Sequence, residues 1–157
     1  MKRARLGWWR RAAILGVASF VLVAAPVSAG TTPVTHGQFH EFAAGVTQGL
    51  HINGSALMIR SNNRTFVVVV VTGLAPNTTY GSHVHKQACA VGDADGHYQF
   101  VPGGPADSVN EIWPGFTTNA SGVGIGLAHN AGIAGPTAVA VVVHAPGGAK
   151  IACADLR

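Results

Sequence analysis

Ten per cent of the 157 residues are charged, and the formal net charge of +4 with a pI near 9.6 looks basic only until the charges are placed. Five of the ten Lys and Arg residues (Lys2, Arg3, Arg5, Arg10, Arg11) precede an apolar run, and all six acids follow it. Residues 30–157 therefore carry five cations against six anions, a net charge of −1 with histidine neutral. No Lys/Arg cluster remains to neutralise phosphates, which excludes nucleic-acid binding as a function class.

Residues 1–29 predict a cleavable secretory signal. A basic head is followed by an apolar run over 12–25, then by small residues, Val27 and Ala29, at the −3 and −1 positions of a cut after Ala29. The run is shorter than the ~20 residues that span a bilayer and ends at Pro26, so no membrane association is expected after cleavage. What is left has the length of one domain, secreted or held in the cell envelope. In that oxidising setting Cys89 and Cys153, the only two cysteines, are expected to form one intramolecular disulfide, worth roughly 4 kcal/mol by chain entropy.

Residues 30–48 read as an N-terminal segment with the flexibility usual of chain ends, and 49–157 as the domain proper. A helical turn in the first segment would stack His36 over His40 and allow an auxiliary metal contact. Beyond it, short apolar or alternating runs are punctuated by Gly, Pro and Asn, the pattern of an all-β sandwich or barrel. Strands are predicted over 50–59, 65–72, 80–85, 112–118, 122–128, 136–144 and 150–155. The unbroken valines of 67–71 predict a strand buried on both faces or at the sandwich core. Residues 86–110, rich in Gly, Asp and Pro, form a long loop of the kind kept for function.

All eight histidines lie beyond residue 30. His83-Val84-His85 places two imidazoles on one face of a strand, where both reach one ion. His144 closes the apolar run 138–143, where a buried ring needs a partner for its nitrogens. His97 sits in Asp95-Gly96-His97-Tyr98. His51 and His129 read as structural or exposed, and Tyr98 and Trp113 as packing residues.

In sequence order, Gly73-Leu74-x-Pro76, Gly81-Ser82-His83-Val84-His85, Cys89, Gly96-His97-Tyr98, Gly103-Gly104-Pro105, Val142-Val143-His144 and Lys150-Ile151-Ala152-Cys153 resemble the copper/zinc superoxide dismutase family. The likeness runs from about residue 50 to the end. It implies a Greek-key β-sandwich and an enzyme that converts superoxide to oxygen and hydrogen peroxide by cycling one copper between Cu(II) and Cu(I). By the same likeness His83, His85 and His144 are copper ligands, His97 matches the bridging histidine, and Cys89 pairs with Cys153.

Three departures accompany it. Pro102 stands where the family's next zinc histidine belongs, and no histidine occurs between Tyr98 and Ala128, so the zinc site reads as lost. Lys150 replaces the arginine that guides the anion, keeping the charge without the forked donors. The loop 145–149 is too short to form a charged steering loop. Without zinc, another group must orient the His97 ring; Glu111 is the first candidate, Asp93 or Asp95 the second. The rival reading is a copper-binding or storage module without turnover. The sequence carries no signal of oligomeric state.

Overall fold

A computed structural model describes residues 33–157; the signal predicted over 1–29 lies outside the described residues. Among the described residues, nine strands and one short helix follow as β1 (Val34–Gln38), β2 (His40–Glu41), α1 (Ala43–Thr47), β3 (Asn53–Ser61), β4 (Arg64–Thr72), β5 (Thr79–His85), β6 (Phe116–Thr117), β7 (Gly124–Ala131), β8 (Ala140–His144) and β9 (Lys150–Asp155). They build two antiparallel sheets, ordered β1-β3-β4-β7 and β2-β9-β8-β5-β6. Consecutive strands pair within a sheet at β3–β4, β8–β9 and, across the long loop, β5–β6. The chain crosses between sheets from β1 to β2, β2 to β3, β4 to β5, β6 to β7 and β7 to β8, which makes the fold a Greek-key β-sandwich.

Local chemistry explains the hairpin. Asn62 and Asn63 both take positive φ, 51° and 58°, as a two-residue turn matching the twist of the flanking strands requires. Period-two alternation then sends Met58 from β3 and Val67, Val69 and Val71 from β4 between the sheets. There they meet Val84, Val141, Val143 and Ile151 from the opposite sheet. Each such side chain contributes roughly 1.5–3 kcal/mol on burial. On β7 the inward position 126 must be glycine, because a Cβ there would collide with the Pro114 carbonyl oxygen.

The structure decides one open sequence expectation and corrects two. The valine run of β4 lies at the sandwich core by one face: Val67, Val69 and Val71 are buried, whereas Phe66 and Val70 face outward and are exposed. The strand expected over 112–118 shrinks to Phe116–Thr117, since Pro114 has no N–H to offer a ladder and Ile112 instead accepts from the Val84 N–H at 3.0 Å. Residues 33–48, set apart from the domain in the sequence, are built into it. β1 pairs along β3, β2 pairs with β9, and His36 exchanges backbone hydrogen bonds of 3.0 and 3.1 Å with Arg157. His36 and His40 accordingly sit on strands of different sheets rather than on one helical turn.

Candidate metal centre

Alternation along β5 directs Tyr80 and Val84 into the core and leaves His83 and His85 on the outer face of the sheet. β8 runs antiparallel beside it, with His83 opposite Val142 and His144 opposite Gly81, so His144 reaches the same face. A bulge between β8 and β9 decides what stands next to it. His144 pairs with Lys150 while Val143 pairs with Ala152, so Ile151 and Ala152 both enter the core and Lys150 turns outward beside the histidines.

The loop after β5 brings the fourth ring. Lys86 N–H donates to the Gly96 carbonyl at 3.1 Å and Tyr98 N–H to the Val84 carbonyl at 2.8 Å, so residues 96–98 lie along β5 and His97 bridges to His85. The Cys89–Cys153 disulfide ties this loop to β9, and the Cys89 N–H donates to Asp155 Oδ1 at 2.8 Å. Between them, Gly92, Asp93, Ala94 and Asp95 form a left-handed turn with φ of 53°, 50°, 66° and 50°. Three non-glycine residues there carry strain of order 1 kcal/mol or more each. Hydrogen bonds hold them: Lys150 Nζ donates to the Asp93 and Asp95 carbonyls at 2.8 and 2.7 Å, and His85 Nδ1 lies 3.0 Å from the Asp95 carbonyl.

The ring nitrogens show what the cluster is built for. His85 Nδ1 meets a carbonyl, His144 Nδ1 meets the Gly148 carbonyl at 3.0 Å, and His97 Nδ1 meets Glu111 Oε2 at 2.6 Å. These partners only accept, so each Nδ1 carries the proton and each Nε2 keeps its lone pair. His85 Nε2 and His144 Nε2 then face one another at 3.4 Å with two lone pairs and no proton between them, an arrangement that a cation satisfies. His83 Nδ1 is buried without a hydrogen-bond partner. One ligand atom from each of His83, His85, His97 and His144 lies within 4.8 Å of the others, the one such cluster among the described residues. Imidazole bonds of about 2.0–2.1 Å set opposite donors about 4 Å apart, so small ring movements close the set around one ion. An all-imidazole set suits copper, zinc or iron.

Burial keeps His83, His85 and His144 neutral, the form that binds metal. Desolvation, aided by the neighbouring imidazoles, pushes His83 down to about 3 and His85 to about 4, and lowers His144 as well. Glu111 behaves oppositely. Burial alone would raise its carboxyl, but hydrogen bonds from Trp113 Nε1 (2.9 Å), Gln99 Nε2 (3.1 Å) and His97 outweigh it and hold the group below the usual carboxylate value.

No family model and no curated protein matches the chain. Among solved structures, the Cu/Zn superoxide dismutase from Brucella abortus superposes with a TM-score of 0.53 over 79% of this chain and 99% of its own, at 19% identity. The chain has the copper/zinc superoxide dismutase fold.

Within this superoxide dismutase fold, His83, His85, His97 and His144 converge, with Lys150 and Glu111 against them, whereas the remaining histidines lie elsewhere. His129 stacks on Phe66 at 4.6 Å on the far sheet and meets Arg64 at 2.8 Å, and His36, His40 and His51 are exposed. The Asp95 carboxylate pairs with Lys86 at 3.4 Å and does not reach His97. Two residues of the site carried no functional signal in the sequence. Trp113, read there as packing, lies 5.5 Å from the His83 ring and donates to Glu111, and Gln99 holds the other Glu111 oxygen. Neither has a spacing or motif that marks it.

Proposed function

We propose that the chain is an exported superoxide dismutase that works with one copper ion, held by His83, His85, His97 and His144, and without zinc. Residues 1–29 are removed on export, and 30–157 form the working enzyme. The observation that carries this reading is the donor set: three rings tethered through Nδ1 and a fourth with a buried, unpaired Nδ1, all turned to one point. Copper held by these four histidines would supply one-electron exchange, the overall reaction being two superoxide ions and two protons to oxygen and hydrogen peroxide.

The chain's own residues do the rest. His97 is the ring placed to hold a proton at Nε2 and hand it on, because Glu111 fixes it through Nδ1 from the side where the family binds its second metal. With that nitrogen engaged by a buried carboxylate, the loop that follows needs no further ligands. Lys150, turned outward by the bulge, puts a positive charge beside the cluster, where it attracts an anion across the open mouth left by the short 145–149 loop.

Pulse radiolysis of residues 30–157 loaded with copper tests the proposal, with a His83→Ala, His144→Ala double variant as control. Superoxide decay first order in protein and absent from the control is the expected result. Bound copper with no decay above the control overturns the enzyme and makes the chain a copper-binding module.

A further inference from the structure

The loop between β5 and β6 is tied to the sandwich from behind, by a residue of another strand. On β7 the inward positions are Gly124, Gly126, Ala128 and Asn130, so an amide stands where alternation calls for an apolar side chain. Asn130 is 5% exposed, and its Nδ2 donates to two carbonyls of the loop, Ser108 at 2.8 Å and Glu111 at 2.9 Å. Two acceptors on one side fix which way the amide points, because its oxygen turned there would face two other oxygens. The loop itself is braced from within. Asp107 Oδ1 accepts from the Val109 and Asn110 N–H groups at 3.0 and 2.9 Å. Asn110 spans the loop, with Oδ1 accepting from the Val101 N–H at 2.7 Å and Nδ2 donating to the Pro105 carbonyl at 3.0 Å. Among the described residues, the hydrogen bonds of 105–110 otherwise stay inside the loop, so Asn130 is what places this stretch on the sandwich.

We propose that Asn130 is a positioning residue of the metal centre: it sets where the Glu111 carboxylate stands and, through it, the angle of the His97 ring. Glu111 is held at both of its peptide groups, its N–H donating to the Asp107 carbonyl at 2.8 Å and its carbonyl accepting from Asn130. From that fixed backbone the side chain reaches His97 Nδ1 at 2.6 Å. Trp113 and Gln99 orient the carboxylate oxygens, whereas Asn130 fixes the backbone from which the carboxylate springs. Such placement matters because a working site tolerates errors of only about 0.5 Å in its groups, and a partner that drifts lets an imidazole turn about its own bonds. The inference rests on the reading of His97 and Glu111 as parts of a metal centre. Its test reads a hydrogen bond rather than superoxide decay, so the two can fail separately.

All described strands lie within residues 33–157, so the test uses residues 30–157, by nitrogen-edited proton NMR, metal-free and again with copper(I), a diamagnetic ion. Wild type is compared with Asn130→Leu, which keeps the branch at Cγ and removes both donors. His85, His97 and His144 each carry a proton on Nδ1, so one spectrum reports three separate hydrogen bonds. The expected result is a His97 Nδ1 proton that exchanges with water at least about 10-fold faster in the variant, with those of His85 and His144 within about twofold of wild type. An unchanged His97 proton overturns the proposal. So does equal acceleration of all three, which would make Asn130 a support of the fold at large, and so does a wild type with no protected His97 proton. Circular dichroism checks that the variant folds, and Asn130→Ser replaces it if it does not. Failure to bind copper(I) would count against the proposed activity, whereas the metal-free comparison alone decides the role of Asn130.

Discussion

Replacing Glu111 with Gln keeps the shape of a side chain that is 3% exposed and removes its charge. Oε2 accepts from His97 Nδ1 and Trp113 Nε1, and Oε1 from Gln99 Nε2. The amide can keep its oxygen at the first position only by turning its NH2 toward Gln99 Nε2. Gln99 cannot simply rotate to compensate, because its own oxygen holds the Gly103 N–H at 2.9 Å. One opposed donor pair costs about 1–3 kcal/mol, and two charge-assisted bonds reduced to neutral ones cost about 1 kcal/mol together. The expected loss is about 3 kcal/mol, which for a domain of this size lowers Tm by about 9–15 °C. Differential scanning calorimetry on metal-free wild type and Glu111→Gln reads it without interference from copper binding. In the copper-loaded variant, superoxide decay should fall too, since the His97 ring loses its anchor. A Tm within 2 °C of wild type would refute the reasoning, because it would mean that the carboxylate is not the centre of a satisfied buried network.

Reduction of Cys89–Cys153 opens a link between residues 64 apart, worth about 4 kcal/mol, so Tm in the presence of a phosphine reductant should fall by about 12–20 °C; an equal Tm in both conditions contradicts this. For the metal-free protein, His83 and His85 protonate near 6.5 when unfolded but only near about 3 and about 4 when folded. Their contribution is therefore complete above pH 6.5 and is lost as pH falls from there toward 4, and the urea midpoint should drop across that window; a midpoint flat from pH 7 to 4 refutes it. His83→Ala removes a buried nitrogen with no partner, so metal-free stability should change by less than about 1 kcal/mol. Copper affinity, followed by chelator competition, should fall at least 100-fold, and a large loss of metal-free stability would show that His83 serves the fold instead. Lys150→Met should slow superoxide decay several-fold and flatten its dependence on ionic strength, because an attracting charge is lost; an unchanged salt profile removes Lys150 from anion attraction.

Much of this protein is legible in one dimension because the signals are local. The unequal placement of charge, the Asn62-Asn63 turn, the two-residue spacing of His83 and His85 and the alternation of β3 each follow from rules spanning a few residues. The order of the motifs then points to the fold. What the tertiary structure alone decides is non-local. A run of valines has the same sequence whether one face or both are covered; among the described residues no third layer covers the outer face, which leaves Phe66, Val70, Ile125 and Leu127 exposed. The turn of Lys150 toward the histidines depends on a bulge that exists only where β9 pairs with β8. Likewise, Trp113 and Gln99 are ordinary loop residues until the chain from β5 to β6 closes, and Glu111, a candidate in the sequence beside Asp93 and Asp95, is set apart from them only then. A ring nitrogen takes whichever acceptor the folded loop sets within hydrogen-bond reach, and for His97 that acceptor lies 14 positions along the chain.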